Sequence, residues 1–245
     1  MSRFGQKIQI SENFQAIGMY LRRSDTAVQS TPKLLEALAE ELGVEPTALD
    51  LGCGEGNSIE LFESLFVAAD WHGVDIEDSP EVRARTRQTA KIKTYDGVNL
   101  PYPDEFFDLI YTNQVLEHVR YPDKLMQDAL RTLKPGGWLI GAVSYLEPFH
   151  SYSIFNFTPY GVVSVLNDAG FSVREISAGV DASRLINRQL LNRSSKLRWV
   201  WNRNYLHFAA RMLGRLARLE QREVQFLMLQ YAGHINFVAQ RPIQA

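Results

Sequence analysis

The chain has 245 residues, of which 45% are hydrophobic and 22% are charged, and its net charge is −2. This length and composition suit a complete α/β core, so neither disorder nor binding of polyanions through bulk charge is expected. The single cysteine, Cys53, excludes an internal disulfide and a thiolate metal cluster. No apolar run reaches the ~20 residues that span a bilayer. Residues 1–10 also lack a signal-peptide pattern, so a cytoplasmic protein is expected.

Residues 1–45 are predicted to form an N-terminal extension and a first helix. Residues 1–30 mix polar and aromatic side chains without clear periodicity. They are interpreted either as a segment that folds over the active site or as a loosely packed arm. Thr31 and Pro32 suit the cap and first position of a helix, which Gly43 ends.

A strand at Ala48–Leu51 leads into a turn with the spacing Asp-x-Gly-x-Gly-x-Gly. Glycines at alternate positions let the backbone turn sharply and approach a ligand closely. The turn amides and the start of the next helix, near Ser58, offer donors to a polar or anionic group. A dinucleotide fingerprint would need its third glycine where Asn57 stands, so a nicotinamide oxidoreductase is not predicted.

Strands and amphipathic helices alternate through residues 46–180, the predicted core. Further strands are predicted at Trp71–Asp75, Lys91–Tyr95, Phe107–Thr112, Trp138–Ser144, Phe171–Ile176 and Ile235–Gln240. Helices are predicted at Asp123–Leu133 and from Thr158 to Leu166. This alternation predicts a doubly wound, Rossmann-like α/β fold with a seven-stranded sheet. Residues 230–245 are expected to supply the last strand and the C-terminus.

Four segments together resemble the class I S-adenosylmethionine-dependent methyltransferases, in particular the group that includes the ubiquinone-biosynthesis enzymes. They are the glycine turn, Leu100–Asp108, Asn113–Val119 and the turn Leu133–Gly137. The resemblance extends over about residues 46–178. It implies a methyltransferase with S-adenosyl-L-methionine as its cofactor.

The resemblance also implies a set of cofactor-binding residues. They are Asp50, Gly52, Cys53, Gly54, Gly56, Asp75, Ile76, Asp96, Gly97, Asn113 and Leu116. Asp50 would receive the ammonium group, and Asp75 would accept hydrogen bonds from the ribose hydroxyls unless it caps the next turn. Asp96 and Gly97 would lie at the adenine, and Asn113 and Leu116 near the reacting methyl.

Two histidines are candidate catalytic residues. His118 and His150 both follow strand ends, at the edge where open α/β sheets bind ligands. An oxygen nucleophile with a high pKa benefits from a general base, and histidine suits that task near neutral pH. Either histidine could instead be structural, with a satisfied hydrogen bond.

Some members of the resembled group bind a divalent metal through glutamate-x-x-glutamate-histidine and a later histidine. Here Gln114 stands at the first position, Glu117 and His118 are in register, and His150 is the later histidine. Because the first carboxylate is missing, no metal ligands are predicted.

The aromatic loop Glu147–Gly161 resembles a version seen in methyltransferases associated with surface-polysaccharide assembly, which points to a sugar hydroxyl. The predicted function is therefore methyl transfer to a small-molecule or glycan acceptor, with oxygen favoured. The first alternative is a phenolic, quinone-precursor or lipid-linked acceptor. The second is a catalytically silent protein that binds the cofactor and serves as an interaction partner.

Residues 181–229 depart from the resembled pattern as an insertion between strands six and seven. They carry ten basic and three acidic residues, which gives +7 and leaves −9 for the rest of the chain. Apolar residues recur at helical spacing from Leu206 to Leu219, which predicts a basic amphipathic helix. Three interpretations remain: a helical cap with a solvated basic face, a platform for an anionic substrate, or an interfacial helix on anionic lipid. Nucleic acid is not expected because no known nucleic-acid motif is present, and the oligomeric state is left open.

Overall fold

A computed structural model describes residues 2–86, 89 and 91–243. The last two residues of the predicted C-terminal segment lie outside this range. Eleven α-helices are described. They are α1 (Arg3–Gln9), α2 (Glu12–Ile17), α3 (Thr31–Leu42), α4 (Ser58–Leu65), α5 (Pro80–Ala84), α6 (Pro122–Thr132), α7 (Pro159–Asp168), α8 (Ala182–Leu190), α9 (Arg198–Trp201), α10 (Tyr205–Ala217) and α11 (Gln221–Leu229).

Seven strands form one sheet in the order β3-β2-β1-β4-β5-β7-β6. Their bounds are β1 (Thr47–Leu51), β2 (Asp70–Asp75), β3 (Ile92–Thr94), β4 (Phe107–Asn113), β5 (Leu133–Ser144), β6 (Ser172–Ala178) and β7 (His234–Gln240). The pairs β1–β2, β1–β4, β2–β3 and β4–β5 are parallel, whereas β7 runs antiparallel to both β5 and β6. The prediction of a doubly wound, seven-stranded fold with helices inserted before the last strand is confirmed.

The central strands are apolar because both faces of the sheet are covered. Leu49 and Ile110 point into a core shared with α6 and α7, whereas Ala48 and Leu109 point into a second core shared with α3 and α4. The alternate residues of β1 and β4 therefore hold the two helical layers against the sheet. This rigid framework fixes the positions of the loops at the carboxyl ends of the strands.

One element boundary differs from the sequence prediction for a visible reason. The predicted turn at residues 133–137 is part of β5, which begins at Leu133. Gly136 N donates to Arg241 O at 3.0 Å, and Arg241 N donates to Gly137 O at 2.9 Å. These bonds to the chain after β7 hold the glycines in an irregular part of β5, where Gly136 has φ +81° and the register with β4 shifts between Leu133 and Trp138.

The N-terminal segment covers the β6 edge of the sheet. The helices α1 and α2 pack against α11 and α7, respectively, and Leu21 forms a parallel bridge with Ile176 of β6. Residues 22–31 then cross towards β4, where Thr31 bonds to Tyr111 and Asn113. Of the two interpretations for residues 1–30, a loosely packed arm is therefore wrong for the helices, because Ile8, Phe14 and Ile17 are buried in the core.

Within the residues that the structure describes, none of the helices combines the length and the apolar character needed to traverse a bilayer.

Candidate active site

The glycine turn between β1 and α4 needs its glycines for both conformation and space. Gly52, Gly54 and Gly56 have φ values of +75°, +51° and +82°, in the left-handed region that favours glycine. A Cβ on Gly52 would clash with the side chain of Val115, which follows β4. The turn therefore fits tightly between the ends of β1 and β4. The approach of a ligand to its backbone stays a prediction.

Asp75, at the end of β2, ties that strand to the glycine turn. Its Oδ2 accepts from Gly54 N at 2.6 Å, and its Oδ1 accepts from Ile76 N at 2.8 Å. Arg85 lies beside it, with Nη2 3.9 Å from Asp75 Oδ2 and Nε donating to Gly54 O at 2.6 Å. Burial raises the pKa of Asp75. Because a carboxylate offers about four acceptor sites, two remain for a ligand.

Asp50 lies beneath the turn and is buried. It accepts a hydrogen bond from Ser58 Oγ at the start of α4, and Ser58 Oγ in turn accepts from Trp71 Nε1 at 3.0 Å. Burial raises the pKa of Asp50 to about 7, and the nearby charge of Asp75 acts in the same direction. An ionised Asp50 is therefore costly unless a cation lies close to it.

Asp96 and Gly97 form an exposed turn after β3. Asp96 Oδ1 accepts from Val98 N at 2.9 Å and from Asn99 N at 2.6 Å, while Oδ2 accepts from the Asn99 side chain at 2.6 Å. These hydrogen bonds lower the pKa of Asp96. Gly97 has φ +87°, and no atom lies within 4 Å of where a Cβ would be. The carboxylate organises its own turn, and its contact with adenine stays a prediction.

The remaining predicted cofactor residues differ in exposure. Asn113 is exposed at the end of β4, and its Oδ1 accepts from Thr31 Oγ1 at 3.2 Å. Ile76 is exposed, whereas Leu116 and Cys53 are buried, and burial raises the pKa of the Cys53 thiol to about 12. Leu116 and Cys53 thus support the turns from within the core, and a direct contact with the cofactor stays a prediction for both.

A second cluster of polar side chains surrounds Glu147, where β5 ends and β7 begins. Its Oε2 accepts from Ser144 Oγ at 2.9 Å, His150 Nδ1 at 2.9 Å and His234 Nε2 at 2.8 Å. Hydrogen bonds from the two histidines hold the pKa of Glu147 well below its usual range, and the same carboxylate raises the pKa of His150. Glu147 therefore orients His150 and favours a proton on its ring.

The structure brings His150 together with His118 and Glu117. The rings of His118 and His150 have centroids 5.2 Å apart, and His150 Nε2 lies 3.9 Å from Glu117 Oε1. Glu117 is fully buried; its Oε1 accepts from Ser144 N at 3.0 Å, and its Oε2 has no hydrogen-bond partner among the described residues. One ligand atom from each of these three residues lies within 4.8 Å of the others, a spacing that a divalent cation could bridge.

Sequence analysis missed Glu147, His234 and Arg85. Glu147 stands three residues before His150 in a loop already considered, so its spacing was an available signal. His234 faces Ser144 in the β5–β7 register, which the sequence does not specify. Arg85 follows the short helix α5, and only its charge marks it.

The comparisons with known proteins find methyltransferases. Residues 49–141 match the family model described as a methyltransferase domain. The tRNA (carboxymethyluridine(34)-5-O)-methyltransferase of Arabidopsis thaliana is 30% identical over 139 residues, covering 56% of this chain and 33% of that protein. The trans-aconitate 2-methyltransferase of Variovorax paradoxus is 32% identical over 122 residues, covering 49% and 46% of the two chains. The chain thus spans about a third to a half of the length of the first curated relatives it matches.

Solved structures share the fold over a larger part of the chain. A putative sarcosine dimethylglycine methyltransferase from Galdieria sulphuraria has a TM-score of 0.57 at 15% identity, covering 88% of this chain and 85% of that one. The [4+2]-cyclase SpnF has a TM-score of 0.55 at 18% identity, covering 99% and 96%. At these identities the likeness establishes the fold alone.

Proposed function

We propose that the chain is a class I S-adenosylmethionine-dependent methyltransferase and that it methylates an oxygen atom of a small-molecule or glycan acceptor with His150 as the general base. The observation that carries the proposal is the pairing of His150 Nδ1 with the partly buried Glu147 carboxylate. This pairing leaves Nε2 as the ring nitrogen that can take a proton.

The residues at the ends of β1 and β2 fit the cofactor. S-adenosylmethionine supplies a methyl group on a positively charged sulfur, which is already a strong electrophile. Asp50 would hold the ammonium group, whose charge would offset the cost of ionising a buried carboxylate. Asp75 would hold the ribose through its two remaining acceptor sites. The three glycines of the turn carry no side chains that could block the approach of the cofactor to the backbone.

His150 is suited to accept the proton of the acceptor hydroxyl. Its pKa is raised by Glu147, and a general base works best when its pKa lies near the operating pH. The carboxylate also fixes the ring orientation, as in other histidine–carboxylate pairs. His118 lies alongside and would help to position the acceptor.

The test measures S-adenosylhomocysteine release with a panel of glycan, phenolic and lipid-linked acceptors. H150Q is expected to lower kcat at least about 100-fold, within the range of general-base catalysis, with little change in S-adenosylhomocysteine affinity by calorimetry. H72Q is the matched control, since His72 lies on β2 and bonds to Asp70. Full activity of H150Q would overturn the role of His150, and cofactor binding without turnover on any acceptor would favour a silent interaction protein.

A metal-assisted reaction is the second candidate, favoured by the unpartnered Oε2 of Glu117 beside the two histidines. A divalent cation there would lower the pKa of the acceptor hydroxyl directly. Exhaustive chelation distinguishes the two. Activity that survives chelation supports the His150 base, whereas activity lost and then restored by a divalent cation supports the metal.

A further inference from the structure

The helix α10 presents its apolar side to solvent. Its buried positions are occupied by His207, Ala210 and Gly214. Its exposed positions carry Tyr205, Leu206, Phe208, Met212, Leu213 and Leu216. Phe208 is 61% exposed and Leu216 is 81% exposed. At 100° per residue these exposed side chains share one continuous face of the helix. A helical cap would bury its apolar face against the protein and expose its basic face to solvent, and α10 instead exposes its apolar face.

Specific contacts fix this orientation. A Cβ on Gly214 would clash with Val224 of α11, so the two helices approach closely at that glycine. His207 N donates to Asp181 Oδ2 at 3.0 Å, and His207 Nε2 lies 3.0 Å from Met228 O. The small and polar side of α10 is therefore the side that fits the protein, and turning the apolar face inward would break these contacts.

The segment before α10 also exposes large apolar side chains next to basic ones. Leu190 and Trp199 are 76% and 70% exposed, and Leu197 is also exposed. Arg193, Lys196, Arg198 and Arg203 are exposed among them, and Arg215 is exposed beside the apolar face of α10. Because α8 packs against both α9 and α10, these elements form one unit, which we call the α8–α10 surface (residues 190–216).

The α8–α10 surface lies at the same edge of the sheet as the candidate active site. It begins after β6 and leads through α11 to the start of β7. Beyond α11, Gly233 O accepts from Tyr145 N at 2.7 Å and Ala232 O accepts from Leu146 N at 3.2 Å. The chain between α11 and β7 is thus bonded to the segment that leads to Glu147.

We propose that the α8–α10 surface docks on an anionic membrane. Exposed Trp, Phe and Leu side chains with adjacent arginines are the features of a helix that lies in the lipid interface. The cations would gain from the negative surface potential of anionic lipid, while the apolar face leaves water. The net charge of +7 over residues 181–229 disfavours a second copy of the chain, since a symmetric interface would place this charge against itself.

The first test is flotation with vesicles of phosphatidylcholine containing 30% phosphatidylglycerol, compared with pure phosphatidylcholine. The protein is expected to float with the anionic vesicles only, and 500 mM NaCl should release much of it because salt screens the charges. Equal binding to neutral vesicles, or none to either kind, would overturn the proposal.

The apolar contribution is tested with F208E and L216E. Both side chains are exposed, so folding should be retained while vesicle binding falls at least tenfold. V67E is the matched control, since Val67 is 85% exposed in the loop between α4 and β2. Vesicle binding by F208E and L216E that equals that of V67E would contradict the proposal.

The charge contribution is tested with the triple variant R198Q/R203Q/R215Q, which should bind at least tenfold more weakly. Its matched control, R83Q/K91Q/K93Q, removes three cations from the opposite, β3 side of the sheet. Analytical ultracentrifugation of the wild type completes the set. A dimer that L216E dissociates, together with no flotation, would assign the surface to a second copy. Neither flotation nor ultracentrifugation needs methyl transfer. Failure of the membrane proposal is therefore distinguishable from failure of the proposed function.

Discussion

Asp50 is a buried carboxylate whose ionisation affects the stability of the fold and, under the proposed function, the binding of the cofactor. The folded-state pKa of about 7 lies above the usual value of 3.8. Between these values the folded protein binds more protons than the unfolded chain, so the free energy of unfolding falls as pH rises from about 4 to about 7. The cofactor's ammonium would offset this cost under the proposed function.

We therefore expect D50N to be more stable than the wild type at pH 8, by on the order of 2–4 kcal/mol, and equally stable near pH 4. The asparagine can still accept from Ser58 but cannot ionise. It should also bind S-adenosylhomocysteine more weakly. Urea unfolding at both pH values measures the effect, with the exposed D123N as control. A wild-type stability that rises across this pH range, with D50N no different, would contradict the assignment.

Glu147 is expected to set the titration of His150. E147Q keeps the size of the side chain but removes its charge, so the pKa of His150 should fall towards or below its usual value. NMR of protein labelled with ¹⁵N at histidine follows this directly, and the five histidines of the chain allow assignment by substitution. The ring of His72, bonded to Asp70 instead, serves as an internal control. An unchanged His150 titration would remove Glu147 as its positioning residue.

At the level of elements, Gly52 in the glycine turn has both a positive φ and a close neighbour. A comparison with Gly43, which has the positive φ alone, separates the two effects. Gly52 and Gly43 have nearly the same φ, +75° and +74°, but only Gly52 has a neighbour that a Cβ would strike. G43A should cost about 1 kcal/mol, from conformation alone. G52A should cost about 2–4 kcal/mol, because Val115 must also move, and should abolish cofactor binding.

Thermal and urea unfolding of both variants measure the loss in the free energy of unfolding. The double variant G52A/V115A should regain the stability lost to the clash with Val115 but not the stability lost to the positive φ of residue 52. Equal losses for G43A and G52A would show that the contact with Val115 is unimportant.

The elements also show what the sequence could and could not predict. Apolar strand runs and local caps placed most strands to within a few residues, but they placed only five of the eleven described helices, α3, α4, α6, α7 and α10. The acidic strand ends predicted a cofactor side of the site, and this stays a prediction. The acceptor side needed tertiary register: His234 reaches Glu147 only because β7 inserts antiparallel beside β5. Periodicity found α10 but could not show which face is buried, since that depends on Gly214 meeting Val224.

For the molecule as a whole, one edge of the sheet carries both proposed binding regions. The cofactor region uses loops after β1 and β2, and the α8–α10 surface follows β6 on the far side of β4 and β5. A lipid-facing surface at the same sheet edge as His118 and His150 would favour acceptors held at the membrane. A glycan carried on a lipid would satisfy both the glycan and the lipid-linked alternatives.

Hydrogen–deuterium exchange on the full chain can resolve the two regions. S-adenosylhomocysteine should slow exchange in residues 52–58 and 75–79, because the ligand would occupy their amides and rigidify the turns. Vesicles containing 30% phosphatidylglycerol should slow exchange in residues 197–216 and leave the glycine turn unchanged. The loop at residues 66–69 leads into the amino end of β2, at the edge of the sheet opposite both regions, and is the internal control. Protection of residues 52–58 by vesicles, without protection of α10, would contradict two separate surfaces and place the lipid contact at the cofactor turn instead.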